Sequence, residues 1–261
     1  MKKFIIPFSF LFLFLQSSVQ AEVKEENIQL KVRGNITQEI LLLEHPDASA
    51  YLILFPGGAG VLKFNPEWLE KKGMNFLVRI RERLYQKKFS VIVINAPEDH
   101  QKKEGMKSDF RGSKEHASDI ETVLDFLQKR KNLPVWLIGT SRGTNSAANG
   151  AIRIKNKIHG LILSSPITAT TNKGKAIKDF DLSEIQMPVL ILSHKNDECP
   201  VSIPEQASEI KRRLVNAKTA ELKYVNGGIN TGKHCRGLSH HGFNGLEDEM
   251  VNIISKFINE N

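Results

Sequence analysis

The sequence predicts an α/β domain, a mostly parallel sheet covered by helices on both faces. Three observations carry this. Short continuous apolar runs, of the kind that strands buried on both sides require, recur along the chain. Between them lie segments with apolar residues at helical spacing. At 261 residues with 40% hydrophobic content, the chain suits one large domain better than two small ones and needs no staples to build its core.

The elements follow in order. Residues 28–32 and 39–43 read as strands joined through Arg33-Gly34-Asn35, a hairpin-like start. Residues 51–55 form a buried-strand run, and 66–88 a long helix with Leu69, Phe76, Leu77, Ile80 and Leu84 near helical spacing. A second buried strand is expected at 90–95, then a polar loop over 98–112. Ser113 can cap a helix reaching about residue 130, with Ile120, Val123, Leu124 and Leu127 on one face. The alternation continues with strand 135–138, a helix from Arg142, strand 160–164, a polar stretch over 169–181, strand 189–193, helix 203–214 and strand 220–225. Residues 245–258 close the pattern as a helix. No internal repeat or low-complexity linker interrupts it.

The first residues stand apart from this pattern. Lys2 and Lys3 form a basic n-region, residues 5–15 an apolar h-region, and Val19-Gln20-Ala21 a small-residue cleavage site. The apolar run falls short of the ~20 residues that a spanning helix needs. No cysteine lies near the cleavage point to accept a lipid. Residues 1–21 are therefore expected to be a signal peptide and 22–261 a single domain, exported to the periplasm or secreted, with no stable membrane span after cleavage. A retained N-terminal anchor is the alternative. The formal charge of +8 includes the two leader lysines. The remaining basic residues are scattered or lie on helix-like segments, with no aromatic interleaving and no nucleic-acid motif. A solvated basic surface results, leaning toward acidic or cell-envelope substrates and away from nucleic acid.

The most informative stretch is Ile138-Gly139-Thr140-Ser141-Arg142-Gly143-Thr144. A G-x-S-x-G between a buried strand and a helix is the setting of a nucleophile elbow, where a tight strand-to-helix turn points the serine out of the sheet. The flanking glycines are needed because side chains there would collide with neighbouring backbone.

Two further segments complete a constellation: residues 190–200, a strand followed by a loop holding Asp197 and Glu198, and Ser239-His240-His241-Gly242-Phe243 before the last helix. With the serine they stand in the order nucleophile, acid, histidine, and on these motifs the chain resembles the α/β-hydrolase superfamily over nearly all of its mature length. The resemblance implies an α/β-hydrolase fold with a minimal lid or none, because the polar stretch after strand 160–164 is short. It implies a serine hydrolase that needs neither cofactor nor metal. Ser141 would be the nucleophile, His241 the base that takes its proton, and Asp197 the acid that orients the imidazole. His240 and Glu198 are the adjacent rivals. The superfamily pattern of a histidine directly before Gly-Phe favours His241, and the usual spacing of the acid after its strand favours Asp197.

Phe55-Pro56-Gly57-Gly58-Ala59-Gly60 resembles the loop that supplies one oxyanion-hole N–H, with Pro56 where many relatives carry histidine. By position Gly58 is the donor, Ala59 second, and the Arg142 N–H provides the other. Cys199 and Cys235, the two cysteines of the chain, flank the acid and histidine loops. In an exported protein they are expected to form a disulfide tying those loops together. Two free thiols are the alternative.

The expected substrate is a small-molecule or lipid-like ester, with a peptide or amide next. The oligomeric state is not readable. A non-catalytic binding protein of the same fold is a rival reading. Two others are weaker. Residues 227–234 nearly match a phosphate-binding G-x-x-x-x-G-K-[ST] loop, but His234 replaces the Ser or Thr and no helix signal follows. A metal site built from Cys199, His234, Cys235, His240 and His241 fits no standard ligand spacing and leaves Ser141 without a purpose.

Overall fold

The computed structural model describes residues 23–71, 75–171 and 174–261, so the expected signal peptide lies outside the described residues. Eight strands form one sheet in the order β1-β2-β4-β3-β5-β6-β7-β8. They are β1 (Glu25–Arg33), β2 (Ile36–Leu43), β3 (Tyr51–Phe55), β4 (Ser90–Ile94), β5 (Val135–Thr140), β6 (Gly160–Ser164), β7 (Val189–His194) and β8 (Ala220–Val225). The β1–β2 hairpin and the β2–β4 pair are antiparallel, and every other pairing is parallel. The hairpin turns through Gly34 at φ 52°, where a side chain would be strained.

Alternate residues of each strand serve opposite layers, as the period-2 pleat dictates. Ile53, Ile92, Leu137, Leu163 and Ile191 face one way and pack with Ile120, Leu124, Ala148 and Ile210 from α4 (Lys114–Arg130), α5 (Gly143–Arg153) and α6 (Ala207–Arg213). Leu52, Leu54, Val91, Ile138 and Leu190 face the other way and meet Leu77, Ile80, Ile254 and Phe257 from α2 (Phe76–Gln86) and α7 (Glu247–Glu260). Both apolar faces of the central strands are thus covered, which is why those strands read as unbroken apolar runs.

The long helix expected over 66–88 is two helices, a correction. A short α1 (Pro66–Leu69) ends at Glu70, and α2 begins afresh at Asn75, whose side chain accepts the Leu77 N–H as an N-cap. Apolar spacing carried through that cap in the sequence and hid it. The polar stretch 98–112 also holds more structure than expected: a 3₁₀ turn and a one-turn helix α3 (Ser108–Arg111). Of residues 203–214, a 3₁₀ turn at Pro204–Gln206 precedes α6. Among the described residues of the β6–β7 connection there are only 3₁₀ turns, at Ile177–Asp179 and Leu182–Glu184, and no helical lid. No helix among the described residues is long and apolar enough to cross a membrane.

The chain leaves β3 for β4 on one side and then returns to lay β5 on the other. Such a reversal opens a crevice beyond the carboxyl ends of the two diverging strands, the usual place for a ligand in an open α/β sheet. Pro56–Gly58 leave the end of β3, and Ser141 leaves the end of β5.

Candidate active site

Ser141 sits in the left-handed region at φ 51°, a strained conformation held by its surroundings. Its N–H donates to the Ser164 carbonyl at 3.0 Å, and its own carbonyl accepts from the Thr144 N–H at 2.9 Å and the Thr144 hydroxyl at 2.6 Å. The turn is possible because of its glycines. A Cβ on Gly143 would fall 1.8 Å from the Phe55 carbonyl oxygen, and one on Gly139 would fall 2.5 Å from the Gly143 carbonyl oxygen. The elbow and the end of β3 therefore touch backbone to backbone. Gly57 continues that contact, since a Cβ there would lie 2.8 Å from the Ser141 Cβ.

His241 lies in a 3₁₀ turn (His240–Gly242), and its Nδ1 is 2.8 Å from Asp197 Oδ2. The Asp197 side chain is 0% exposed and that of His241 5%, so the pair is shielded from solvent screening. The other carboxylate oxygen of Asp197 accepts the Cys199 N–H at 2.9 Å. His241 Nε2 is buried and makes no hydrogen bond with any described residue. It shares with Ser141 a crevice of about 40 Å³, lined also by Gly57, Gly58 and Arg236. The Ser141–His241 hydrogen bond is not made in this structure. Such bonds commonly tighten only when substrate is bound.

The adjacent rivals point elsewhere. His240 turns its Nδ1 to the Asn196 carbonyl at 3.0 Å and stacks on His194 with centroids 4.3 Å apart. Glu198 accepts from Asn230 Nδ2 at 2.9 Å and lies 3.1 Å from His234 Nδ1. The expected disulfide is present: Cys199 and Cys235 are bonded, with Cα atoms 4.7 Å apart. That bond removes both thiolates from the alternative metal set. Residues 227–234 run through loop, with no helix behind the lysine to receive a phosphate.

The N–H groups of Gly58, Ala59 and Arg142 have no acceptor among the described residues. Gly58 adopts φ 63°. Three residues that sequence reasoning did not single out hold this arrangement. Arg111, fully buried, donates from Nη2 to the carbonyls of Pro56 at 3.3 Å and Gly58 at 3.4 Å, from Nη1 to Ser146 Oγ at 2.8 Å, and from Nε to the Met106 carbonyl at 3.3 Å. Burial, with the Arg142 charge nearby, pushes its pKa down to about 9. Arg79 on α2 grips the histidine loop through the carbonyls of Gly237 at 2.9 Å and Gly242 at 2.8 Å, and pairs with Glu247 at 2.8 Å. Ser165, itself at φ 41°, donates to the His241 carbonyl at 2.8 Å. Each acts through backbone carbonyls far away in sequence, a signal that no local motif carries.

A serine at the tip of a strained turn, a buried carboxylate–imidazole pair across the same crevice, and unpaired N–H groups at its mouth are the parts that acyl transfer requires. Comparison with known proteins agrees with the fold. Residues 74–181, less than half of the chain, match the family described as serine aminopeptidase, S33. That span includes the elbow and stops before Asp197 and His241. No curated protein sequence gives a match. Among solved structures, a cold-adapted esterase from an Arctic intertidal metagenomic library is similar at 17% identity and TM-score 0.63, covering 91% of this chain and 95% of its own. Dienelactone hydrolase from Anabaena variabilis is similar at 14% identity and TM-score 0.66, covering 91% and 98%. An α/β serine hydrolase without a lid, from Xanthomonas campestris, is similar at 15% identity and TM-score 0.62, covering 91% and 94%. The chain thus shares the α/β-hydrolase fold of these structures, and among the described residues its β6–β7 connection carries no helical lid.

Proposed function

We propose that this protein is an exported serine hydrolase that cleaves a small or lipid-like ester through a covalent acyl-enzyme on Ser141. The observation that carries the reading is the Asp197–His241 pair, at 2.8 Å, opening into the crevice that Ser141 lines. In this reading His241 Nε2 takes the Ser141 proton as Oγ attacks the ester carbonyl. The resulting oxyanion is met by the backbone N–H groups of Gly58 and Arg142. His241 then returns the proton to the departing alcohol, and water repeats the sequence to release the acid. Asp197 holds the tautomer and stabilises the imidazolium. No step draws on a cofactor or a metal.

The leader-like residues 1–21 and the Cys199–Cys235 bond both favour an oxidising compartment, the periplasm or the exterior, with 22–261 acting as one catalytic domain. The partial match to a serine aminopeptidase family favours amide or peptide cleavage as the second reading. The test is fluorophosphonate labelling of the mature protein, followed by a screen of p-nitrophenyl esters of increasing chain length. Labelling and turnover should both vanish in a folded Ser141→Ala variant. A wild type that neither labels nor turns over any ester or amide would return the fold to a binding role.

A further inference from the structure

Arg142 presents two different groups to two different spaces. Its backbone N–H directly follows Ser141 and has no acceptor among the described residues. Its side chain lines a neighbouring cavity of about 510 Å³ together with Lys107 and Lys175. The same side chain borders a smaller, more apolar cavity of about 90 Å³ walled by Ile167, Ala169 and Val201.

Among the described residues, six arginines are buried or half-buried, and five of them are engaged. Arg33 pairs with Asp99 and Asp119, Arg79 with Glu247, Arg81 with Glu25 and Arg83 with Asp248, while Arg111 is held by four hydrogen bonds. The sixth is Arg142, and its guanidinium makes no hydrogen bond or ion pair with any described residue. Burial lowers its pKa without a partner to offset the cost. Glu104 and Asp109 also line the larger cavity, but both are exposed and neither comes within ion-pair distance of Arg142, Lys107 or Lys175. The lining keeps a net positive charge. A partly desolvated, planar, five-donor cation next to a nucleophile is suited to a carboxylate, which it can grip at both oxygens. The apolar wall beside it is suited to a short methylene chain.

We propose that Arg142, aided by Lys107 and Lys175, forms a subsite for a carboxylate at the far end of the acyl chain, so that the preferred substrates are half-esters of aliphatic dicarboxylic acids. This rests on the serine-hydrolase reading above and names its substrate class.

The experiment compares p-nitrophenyl hemiadipate with p-nitrophenyl hexanoate, which has the same number of acyl carbons and no charge. The quantity read is the ratio of their kcat/KM values, in which any general loss of activity cancels. Wild type should favour the hemiadipate by about ten- to a hundredfold, the range of a charge-assisted hydrogen bond. Arg142→Gln should bring the ratio to about one, and Arg142→Lys should keep part of it. A Lys107→Gln/Lys175→Gln variant should lower it less, and mainly at low salt, because exposed charges are screened. A wild-type ratio near or below one, or the same ratio in Arg142→Gln, overturns the proposal. Binding is also read without turnover, as the thermal shift that adipate monoamide produces. A shift that Arg142→Gln abolishes, with neither ester turned over, keeps the subsite and removes the hydrolase reading. A shift that is absent in wild type, or unchanged in the variant, removes the subsite.

Discussion

The Arg111 guanidinium reaches the Gly58 carbonyl at 3.4 Å and the Pro56 carbonyl at 3.3 Å, so it holds the Pro56–Gly57 and Gly58–Ala59 peptides that flank the one carrying the Gly58 N–H. The loop whose N–H groups face the Ser141 crevice is thus gripped from behind by a buried cation with no carboxylate beside it. Arg111→Met keeps the length of the side chain and removes the donors. It should lower kcat far more than it raises KM, by up to the ~10²–10³-fold that loss of one oxyanion donor costs. Stability should fall as well, because the Met106, Pro56 and Gly58 carbonyls lose their donor, so kcat is read on the folded variant. Unchanged kcat in the folded variant would remove Arg111 from any positioning role.

The two adjacent histidines should separate sharply. His241→Ala takes away the group that Asp197 orients and should leave only the residual rate that binding and the oxyanion hole provide. His240→Ala breaks a stack on His194 and one hydrogen bond to Asn196, and should cost less than about tenfold, in line with the modest worth of such contacts. Steady-state kinetics of both variants on one ester decides the matter. Equal losses would mean that the base has been misassigned.

Reduction of the Cys199–Cys235 bond, or Cys199→Ser with Cys235→Ser, should lower the melting temperature. In the chain-entropy model, opening a 36-residue separation costs about 3–4 kcal/mol. Activity should fall further than stability alone explains, because the Cys199 N–H bonds Asp197 and Cys235 borders the crevice. Melting curves and ester turnover, each measured with and without reductant, supply the comparison. Two free thiols in the unreduced, denatured mature protein would contradict the bond itself.

The fold should lose stability as the pH drops below 6.5. His116 is fully buried between the Phe55 and Phe110 rings, neither ring nitrogen has a partner among the described residues, and burial holds its pKa well below the usual value. Above pH 6.5 it is neutral in both states and contributes no pH dependence. Below that, the unfolded chain takes up a proton that the folded chain refuses, so stability falls with falling pH. Asp119, whose carboxyl burial raises to about 6, works in the opposite direction between its ordinary value and that pH. The quantity to read is therefore the difference between wild type and His116→Leu in melts at pH 7, 6 and 5. Wild type should lose stability relative to His116→Leu as the pH falls, and a constant difference would discard the mechanism.

Much of this molecule was legible in its residues, for physical reasons that can be named. Strands β3 to β7 are buried on both faces, so their sequences are unbroken apolar runs. The elbow announces itself because Gly139 and Gly143 are dictated by contacts of 2.5 Å and 1.8 Å that no side chain survives. The break between α1 and α2 was hidden because Asn75 caps inside a stretch whose apolar spacing runs on regardless. Arg111, Arg79 and Ser165 were invisible for a different reason. They act on carbonyl oxygens, which every residue has, across separations of 53, 163 and 76 residues. A chain pattern records what a position must be only when its own neighbours demand it.

The two sides of the crevice are joined to the body by different means. The Ser141 side is fixed by sheet and helix packing against β3, with glycines at the points of contact, and nothing in it depends on redox state. The Asp197–His241 side hangs on loops that a covalent bond draws together. A chain folded among reducing thiols would keep the Ser141 turn and its packing, and would leave the histidine loop to the noncovalent grip of Arg79 and Ser165 alone.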